Sequence, residues 1–397
     1  MYRQVIIAAL AGHLTCSVDR FRTIHDRLGT VIQSRPVRLW GMIQAAVLGC
    51  GVIAPTHAKA LELDGRARLR WACDLDPSRS GVVAAEHFTT HVAEVFADPA
   101  VDVVHICTPH HTHADLVCAA LAAGKHVICE KALATTPTDL TRMLRASAAA
   151  PSLVASGIFQ HRFSPLARRL RALVTGGDFG HVQRIAVEFR CTRDAGYYAS
   201  GPWRGRWAGE GGGLMINQAI HTLDSALGFM TAPTSVAGTV SRTRVPSIEV
   251  EDGAQFTVRG AYDSVLTMVA ENDQVTGWKN RIEVTATGGR LVLSTDERLV
   301  ELDHPSHALA TELWALERLD LGAVSMPGKA CYGDHHALQI QDCLSAIAAK
   351  RAPHVDFPAA AVANRVVLAL YHSAAHGGTA VDLAKLDQQL FRRPTFS

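Results

Sequence analysis

An apolar run from Ile43 to Leu48 passes directly into Gly49-Cys50-Gly51-Val52-Ile53-Ala54. No other stretch of the chain restricts its fold as tightly. A compact apolar run of this length suits a strand buried on both faces in a parallel sheet. The glycines then require a sharp turn, and Pro55 falls where the first turn of a following helix tolerates proline. The spacing is G-x-G-x-x-A. Gly49 permits the turn, Gly51 lets backbone approach a pyrophosphate, and Ala54 lets the helix pack closely on the sheet. The helix N-terminus directs its unpaired N–H groups at phosphate. Gly49, Gly51, Val52 and Ile53 are therefore the expected cofactor-turn residues.

The same rhythm continues. Leu69 to Cys73 reads as a strand ending at Asp74, and Val101 to Cys107 as another ending at Thr108-Pro109. A helix from about His113 stops at Gly124, a natural C-terminal cap. His126 to Cys129 is a strand ending at Glu130-Lys131; Pro137 opens a helix, and Leu153 to Ser156 follows as a strand. This alternation predicts an α/β fold with an N-terminal Rossmann doubly wound parallel sheet over 42–164. Beyond residue 165 the pattern changes. Ile185–Phe189, Ala254–Val258, Val265–Ala270, Arg281–Ala286 and Leu291–Ser294 alternate like half-buried strands, with Gly288-Gly289 as a hairpin turn. A helix over about Leu214 to Phe229 interrupts them, and helices close the chain. The expectation for 165–397 is a C-terminal α+β domain with a large open, mostly antiparallel sheet. Residues 1–41 are expected to lie outside the fold as an extension. Val5 to Gly12 faintly resembles a signal peptide but is short, and His13, Asp19 and Arg20 follow without a cleavage site. Met42 is the expected start of the folded protein.

Composition narrows the function classes. At 397 residues, two domains are the default. A net charge of +2 argues against a charge-driven nucleic-acid partner. No apolar run approaches the roughly 18–20 residues needed to cross a bilayer. Nine cysteines without CxxC pairs suit a reducing compartment, hence the cytoplasm.

Several residues can carry chemistry. Asp74 lies where a carboxylate accepts both ribose hydroxyls of an adenosine and repels a 2′-phosphate, which favours NAD over NADP. Lys131, at the carboxyl edge of the sheet, can hydrogen-bond a substrate hydroxyl and stabilise a developing alkoxide; Glu130 can orient it. Gly211-Gly212-Gly213 leads into the helix, where Asn217, His221 and Asp224 fall at i, i+4 and i+7 on one face. Ile216, Ile220, Leu223 and Leu227 anchor the adjoining face, so His221 is placed to act as a general base toward an alcohol. His110, His111 and His113 lack a convergent carboxylate or cysteine set for metal, so they are expected to line the cofactor or cap the helix. No metal site is expected.

Together these motifs resemble the Gfo/Idh/MocA family, the glucose–fructose oxidoreductase and inositol dehydrogenase-like proteins. The resemblance runs from about residue 42 to about 385. It rests on the glycine turn, Thr108-Pro109 with His113, Ala123 to Lys131, Gly211 to Asp224, and Gln339-Ile340-Gln341-Asp342. It implies NAD-dependent oxidation of a secondary hydroxyl on a sugar, glycoside or cyclitol, in a homodimer or homotetramer built through the open sheet. Lys131 matches the family's catalytic lysine and His221 its catalytic histidine; Asn217 stands where many members have aspartate. Trp203-Arg204 resembles a cofactor-side motif of one branch, and Tyr197 and His336 are expected to help shape the substrate pocket. Ala132 stands in place of the usual proline after the lysine, where a cis bond costs about 2.5–4 kcal/mol. Two other readings fit the same residues: an NAD-dependent glycosidase using transient oxidation, and a non-catalytic NAD- or sugar-binding sensor. The position of Asp74 predicts a higher kcat/KM with NAD than with NADP. Steady-state kinetics with both coenzymes check it, and a preference for NADP reverses the assignment.

Overall fold

The computed structural model describes residues 41–318 and 333–396, apart from 274, 276, 295 and 296. The expectations for the N-terminal extension therefore lie outside the described residues, Gly41 excepted. Strand β1 (Ile43–Leu48), helix α1 (Ala54–Asp64), β2 (Ala67–Cys73), β3 (His87–Thr89), α2 (Val92–Ala97), β4 (Val103–Ile106), α3 (His113–Ala122), β5 (His126–Cys129), α4 (Pro137–Ala149) and β6 (Ala155–Gly157) follow one another. They form a six-stranded sheet in the order β3-β2-β1-β4-β5-β6, and every pairing is parallel. The apolar strands serve two cores at once. Ala45 and Val47 of β1 join Leu61 of α1 on one face, while Ala46 and Leu48 join Val117 of α3 and Leu140 of α4 on the other. Period-2 alternation with both faces covered explains why these strands read as continuous apolar runs.

The chain continues through α5 (Pro165–Gly176), β7 (Val182–Cys191) and the short α6 (Ala195–Ala199) to a helical stretch that ends in α7 (Ile220–Leu227). Then come β8 (Pro233–Ser241), β9 (Gly253–Gly260), β10 (Val265–Asn272), β11 (Lys279–Ala286), β12 (Gly289–Leu293) and β13 (Leu299–Asp303). Helices α8 (His307–Glu317), α9 (Gly333–Ala349) and α10 (Phe357–Ala375) precede the short β14 (Val381–Asp382). The eight-stranded sheet runs β13-β12-β11-β7-β10-β9-β8-β14. It is antiparallel except for β7 beside β10, which are parallel. No described helix is long and apolar enough to cross a membrane.

Two late helices return to the first sheet. Ile340, Cys343 and Leu344 of α9 complete the core beneath α1. Gln339 on the same helix accepts from the Phe159 N–H at 3.0 Å and donates to the Gly157 carbonyl at 2.8 Å, extending the hydrogen bonding at the end of β6. On α10, the Asn364 amide pairs with both the N–H and the carbonyl of Ala134, at 2.9 and 3.0 Å.

The helix expected over 214–229 departs from a regular α-helix. Met215–Ala219 is π-helical, and only α7 after it is α-helical. Ile216, Ile220, Leu223 and Leu227 are buried as anticipated. The wider first turn breaks the 3.6-residue register, and Asn217, His221 and Asp224 do not act as one stripe. Asp224 points to the protein interior, where Arg162 grips it with Nε at 2.7 Å and with Nη2, while Arg162 also donates to the Ala359 carbonyl at 3.0 Å. Both partners are buried, so removing one strands the other. Asp224→Ala is expected to lower unfolding stability by about 3–5 kcal/mol, read by urea denaturation; a loss below about 1 kcal/mol would refute the anchoring role.

Candidate active site

The glycine turn is shaped by contact as well as by φ. Gly49 has φ +86°, and a Cβ there would lie 2.8 Å from the Cys107 backbone. Gly51 faces open space, where an added Cβ would meet nothing within 4 Å, and Val52 is 61% exposed. Ile53 is half-buried, and α1 begins without a side-chain cap. An uncapped helix end behind an open backbone turn fits the pyrophosphate of a dinucleotide. Asp74 accepts from the Cys50 N–H at 2.7 Å and from the Asp76 N–H at 3.0 Å. Each carboxylate oxygen keeps a further lone pair for a ribose hydroxyl.

The β4 end forms the next wall. The Thr108 and Thr112 hydroxyls are 2.6 Å apart beside half-buried Pro109. His110 and His111 donate through Nδ1 to the carbonyls of Glu210 and Gly209 at 2.9 and 3.0 Å. Burial, reinforced by Lys131, holds His110 well below its ordinary pKa. Its ring meets Trp203 edge-on at 5.2 Å. His113, at the start of α3, stands behind this wall. It is fully buried, with its nitrogens 2.8 and 2.9 Å from the carbonyls of Ala132 and Thr108. It braces the Lys131–Ala132 segment from behind.

The Lys131–Ala132 peptide bond is cis, although alanine follows the lysine. Lys131 Nζ donates to the Asn217 carbonyl at 2.7 Å and to Asn217 Oδ1 at 2.9 Å. Burial brings its pKa down to about 8, against the opposing pull of Glu130. Glu130 is buried and points inward: its Oε1 lies 3.1 Å from His57 Nε2 and 3.6 Å from His336 Nε2. Burial would raise its pKa, but the hydrogen bonds from His336 and His57 outweigh that and hold it well below the usual range. His57 in turn meets His105, with Nδ1 atoms 2.9 Å apart. Glu130 and His336 thus belong to a buried polar layer under Lys131.

His221 lies across the crevice, its ring 5.4 Å from His161 and 5.8 Å from Phe159. Burial, then the Lys131 charge, hold it well below its ordinary pKa. Its Nδ1 is buried without a hydrogen-bond partner among the described residues. His161 sits 3.4 Å from Glu297, and burial pushes the neighbouring His335 down to about 4. Tyr197 is wedged between two guanidinium groups, with Arg193 4.5 Å and Arg204 4.6 Å from its ring centre. Its hydroxyl oxygen accepts from Arg204 at 2.6 Å, Gln218 at 2.8 Å and Asn217 Nδ2 at 3.2 Å. Arg204 also lies over Trp203, at 4.4 Å.

Sequence reasoning missed Glu210, Arg193, Gln218, His161 and His57. Glu210 is fully buried beside the three glycines; its Oε2 accepts from the Gly205 N–H at 2.6 Å and its Oε1 from Asn217 Nδ2. Its place directly before the glycines was the available signal. The glycines themselves answer to packing: a Cβ on Gly212 would meet the Tyr371 hydroxyl at 2.1 Å, and one on Gly213 the Glu251 carbonyl at the same distance. The Glu251 carboxylate accepts from the Gly213 and Met215 N–H groups at 2.8 Å each, fixing the start of the π-helical turn.

Comparison with known proteins agrees with this geometry. Residues 43–158 match the model of the oxidoreductase family with an NAD-binding Rossmann fold, and residues 167–292 match the GFO/IDH/MocA C-terminal domain. Inositol 2-dehydrogenase 2 of Paenarthrobacter aurescens is 28% identical over 324 residues, covering 78% of this chain and 89% of that protein. Levoglucosan dehydrogenase of Pseudarthrobacter phenanthrenivorans is 27% identical over 305 residues, covering 66% and 75%. The crystal structure of the WlbA dehydrogenase from Chromobacterium violaceum, in complex with NADH and UDP-GlcNAcA, shares the fold with a TM-score of 0.76 at 24% identity, covering 86% of this chain and 95% of that one. Two family models in register along more than half of the chain are decisive, and the protein belongs to the Gfo/Idh/MocA oxidoreductase family.

Proposed function

We propose that the protein is an NAD-dependent dehydrogenase acting on a secondary hydroxyl of a sugar, glycoside or cyclitol. One observation carries the reading: the Lys131 ammonium, from the end of β5, is hydrogen-bonded to Asn217, four residues before His221 in the other unit. The relatives named as inositol and levoglucosan dehydrogenases support the substrate class. Bound NAD supplies the hydride acceptor. The Gly49–Ile53 turn and Asp74, with Thr108, Pro109, His110 and the Trp203-Arg204 pair, would hold the dinucleotide. Lys131 donates a hydrogen bond to the reacting oxygen and stabilises it as an alkoxide. His221, kept neutral by burial and by the nearby lysine, takes the hydroxyl proton. Asn217 is uncharged and orients Lys131 in place of acting as a base. Tyr197 forms part of the substrate wall.

The open face of the eight-stranded sheet, where Val269 is 40% exposed, is the surface we assign to a homodimer or homotetramer. We take 42–164 and 165–397 as the two working units. The seven cysteines among the described residues are free thiols, which supports a cytoplasmic setting.

A panel of polyols and glycosides, followed by NADH absorbance, identifies the substrate. With it, His221→Ala is expected to lower kcat at least about 10²-fold, and near-normal turnover discards the assignment. The lysine must be protonated to donate, so kcat/KM for oxidation falls as pH rises through about 8. Residual activity in Lys131→Arg should lack that limb, because arginine keeps its proton; an unchanged limb assigns it to another group.

A further inference from the structure

We infer that Glu210 is a positioning residue that sets the orientation of the Asn217 amide, so that Oδ1 and not Nδ2 meets the Lys131 ammonium. The inference rests on Lys131 being the group at the reacting oxygen. An asparagine amide is two-faced, with an acceptor on one side and two donors on the other. Which side faces the lysine is decided by what stands behind it. Here Nδ2 donates to Glu210 Oε1 and to the Tyr197 hydroxyl, and Oδ1 is left for Lys131 at 2.9 Å. A carboxylate only accepts, so it permits one of the two amide orientations.

Glu210 has little freedom to do otherwise. It is fully buried, and its second oxygen is held by the Gly205 N–H at 2.6 Å. Burial pushes its carboxyl upward, and the hydrogen bonds from Gly205 and Asn217, then Arg204 with Nη1 4.0 Å from Oε1, oppose that. The charged and titratable groups that face Lys131 are Glu130 and Glu210 on the acidic side, Arg204 and Arg193 on the basic side, and the rings of His110 and His221. Glu130 is engaged by His57 from below. Glu210 is the carboxylate on the Asn217 side, and it acts on the ammonium through one amide.

Swapping the roles of the two residues tests this. In Glu210→Gln the new amide can donate to Asn217 Oδ1, turning Nδ2 toward the lysine, donor against donor. kcat is expected to fall at least about tenfold with KM for NAD little changed, and the alkaline limb of kcat/KM to move down in pH. Asn217→Asp alone places two carboxylates in hydrogen-bond contact inside the protein and is expected to lose activity as well. The double variant Glu210→Gln/Asn217→Asp restores one acceptor facing Lys131 and one donor behind it. It should recover to within about threefold of the parent and regain the parental limb, a recovery that a purely structural role for Glu210 does not produce. Unchanged turnover in Glu210→Gln overturns the inference. So does a double variant that fails to recover, in activity or in folding. Lys131→Ala separates the two levels: near-normal turnover there removes the lysine reading itself, whereas its loss beside an unaffected Glu210→Gln removes only the role of Glu210.

Discussion

The Lys131 ammonium is held by two oxygens of one residue that arrives from the other unit, at 2.7 and 2.9 Å. The other parts of the site serve one end of that contact. On the lysine side, β5 delivers the side chain, His113 holds the Ala132 carbonyl, and the Glu130 Oε2 receives the Lys131 N–H at 3.2 Å. On the asparagine side, Glu251 pins the backbone before the π-helical turn, and Arg162 pins Asp224 beyond it. Hydrogen bonds from a charged donor are worth about 1.5–3 kcal/mol each, and that gain offsets part of the cost of taking the ammonium out of water. The lysine is stable there because every surrounding oxygen is already in place.

That arrangement also sets the protonation states the chemistry requires. Burial is the main cause that lowers both bases, the lysine to about 8 and His221 well below its ordinary value. The lysine's charge makes a second one on His221 harder to form, so the histidine stays neutral while the lysine retains its proton near neutral pH. Glu130 keeps the balance from tipping further, because its charge is stabilised by two histidines in the layer beneath. A donor and an acceptor of protons thus coexist in one crevice through burial and the lysine's charge, with no special chemistry in either side chain.

Much of this was legible locally. The turn at Gly49 is written in residues that lie side by side, and its reason, a positive φ and backbone contact with Cys107, is a property of glycine. Strands such as His126–Cys129 were legible because burial on both faces leaves an unbroken apolar run. Strand β8, with Pro233 at its start, Gly238 inside it and one buried position in nine, carried no such signal. The parallel pairing of β7 with β10 depends on partners far apart in the chain. Side-chain identity also says what chemistry is available without saying where it points. Glu130 and His336 have the right groups for a cofactor or a substrate, yet both turn toward each other and His57 because the helices carrying the histidines cover that side of the sheet. Glu210 was missed for a related reason: it reaches Asn217 only because three glycines fold the chain back between them.

The same geometry explains why the chain returns to its first sheet after building the second. A single crossing between the units would leave the Lys131–Asn217 distance to a hinge. The structure instead crosses repeatedly: His110 and His111 bond the loop before the glycines, Asn364 pairs with Ala134, and Gln339 closes on Gly157 and Phe159. Two of these join points flank Lys131 along the chain, at His110 and Ala134, and both are buried, so shifting one unit against the other would strand their polar groups without water. Preorganisation of the lysine and histidine is therefore built from several buried hydrogen bonds between the units, which hold the Lys131–Asn217 contact to one geometry.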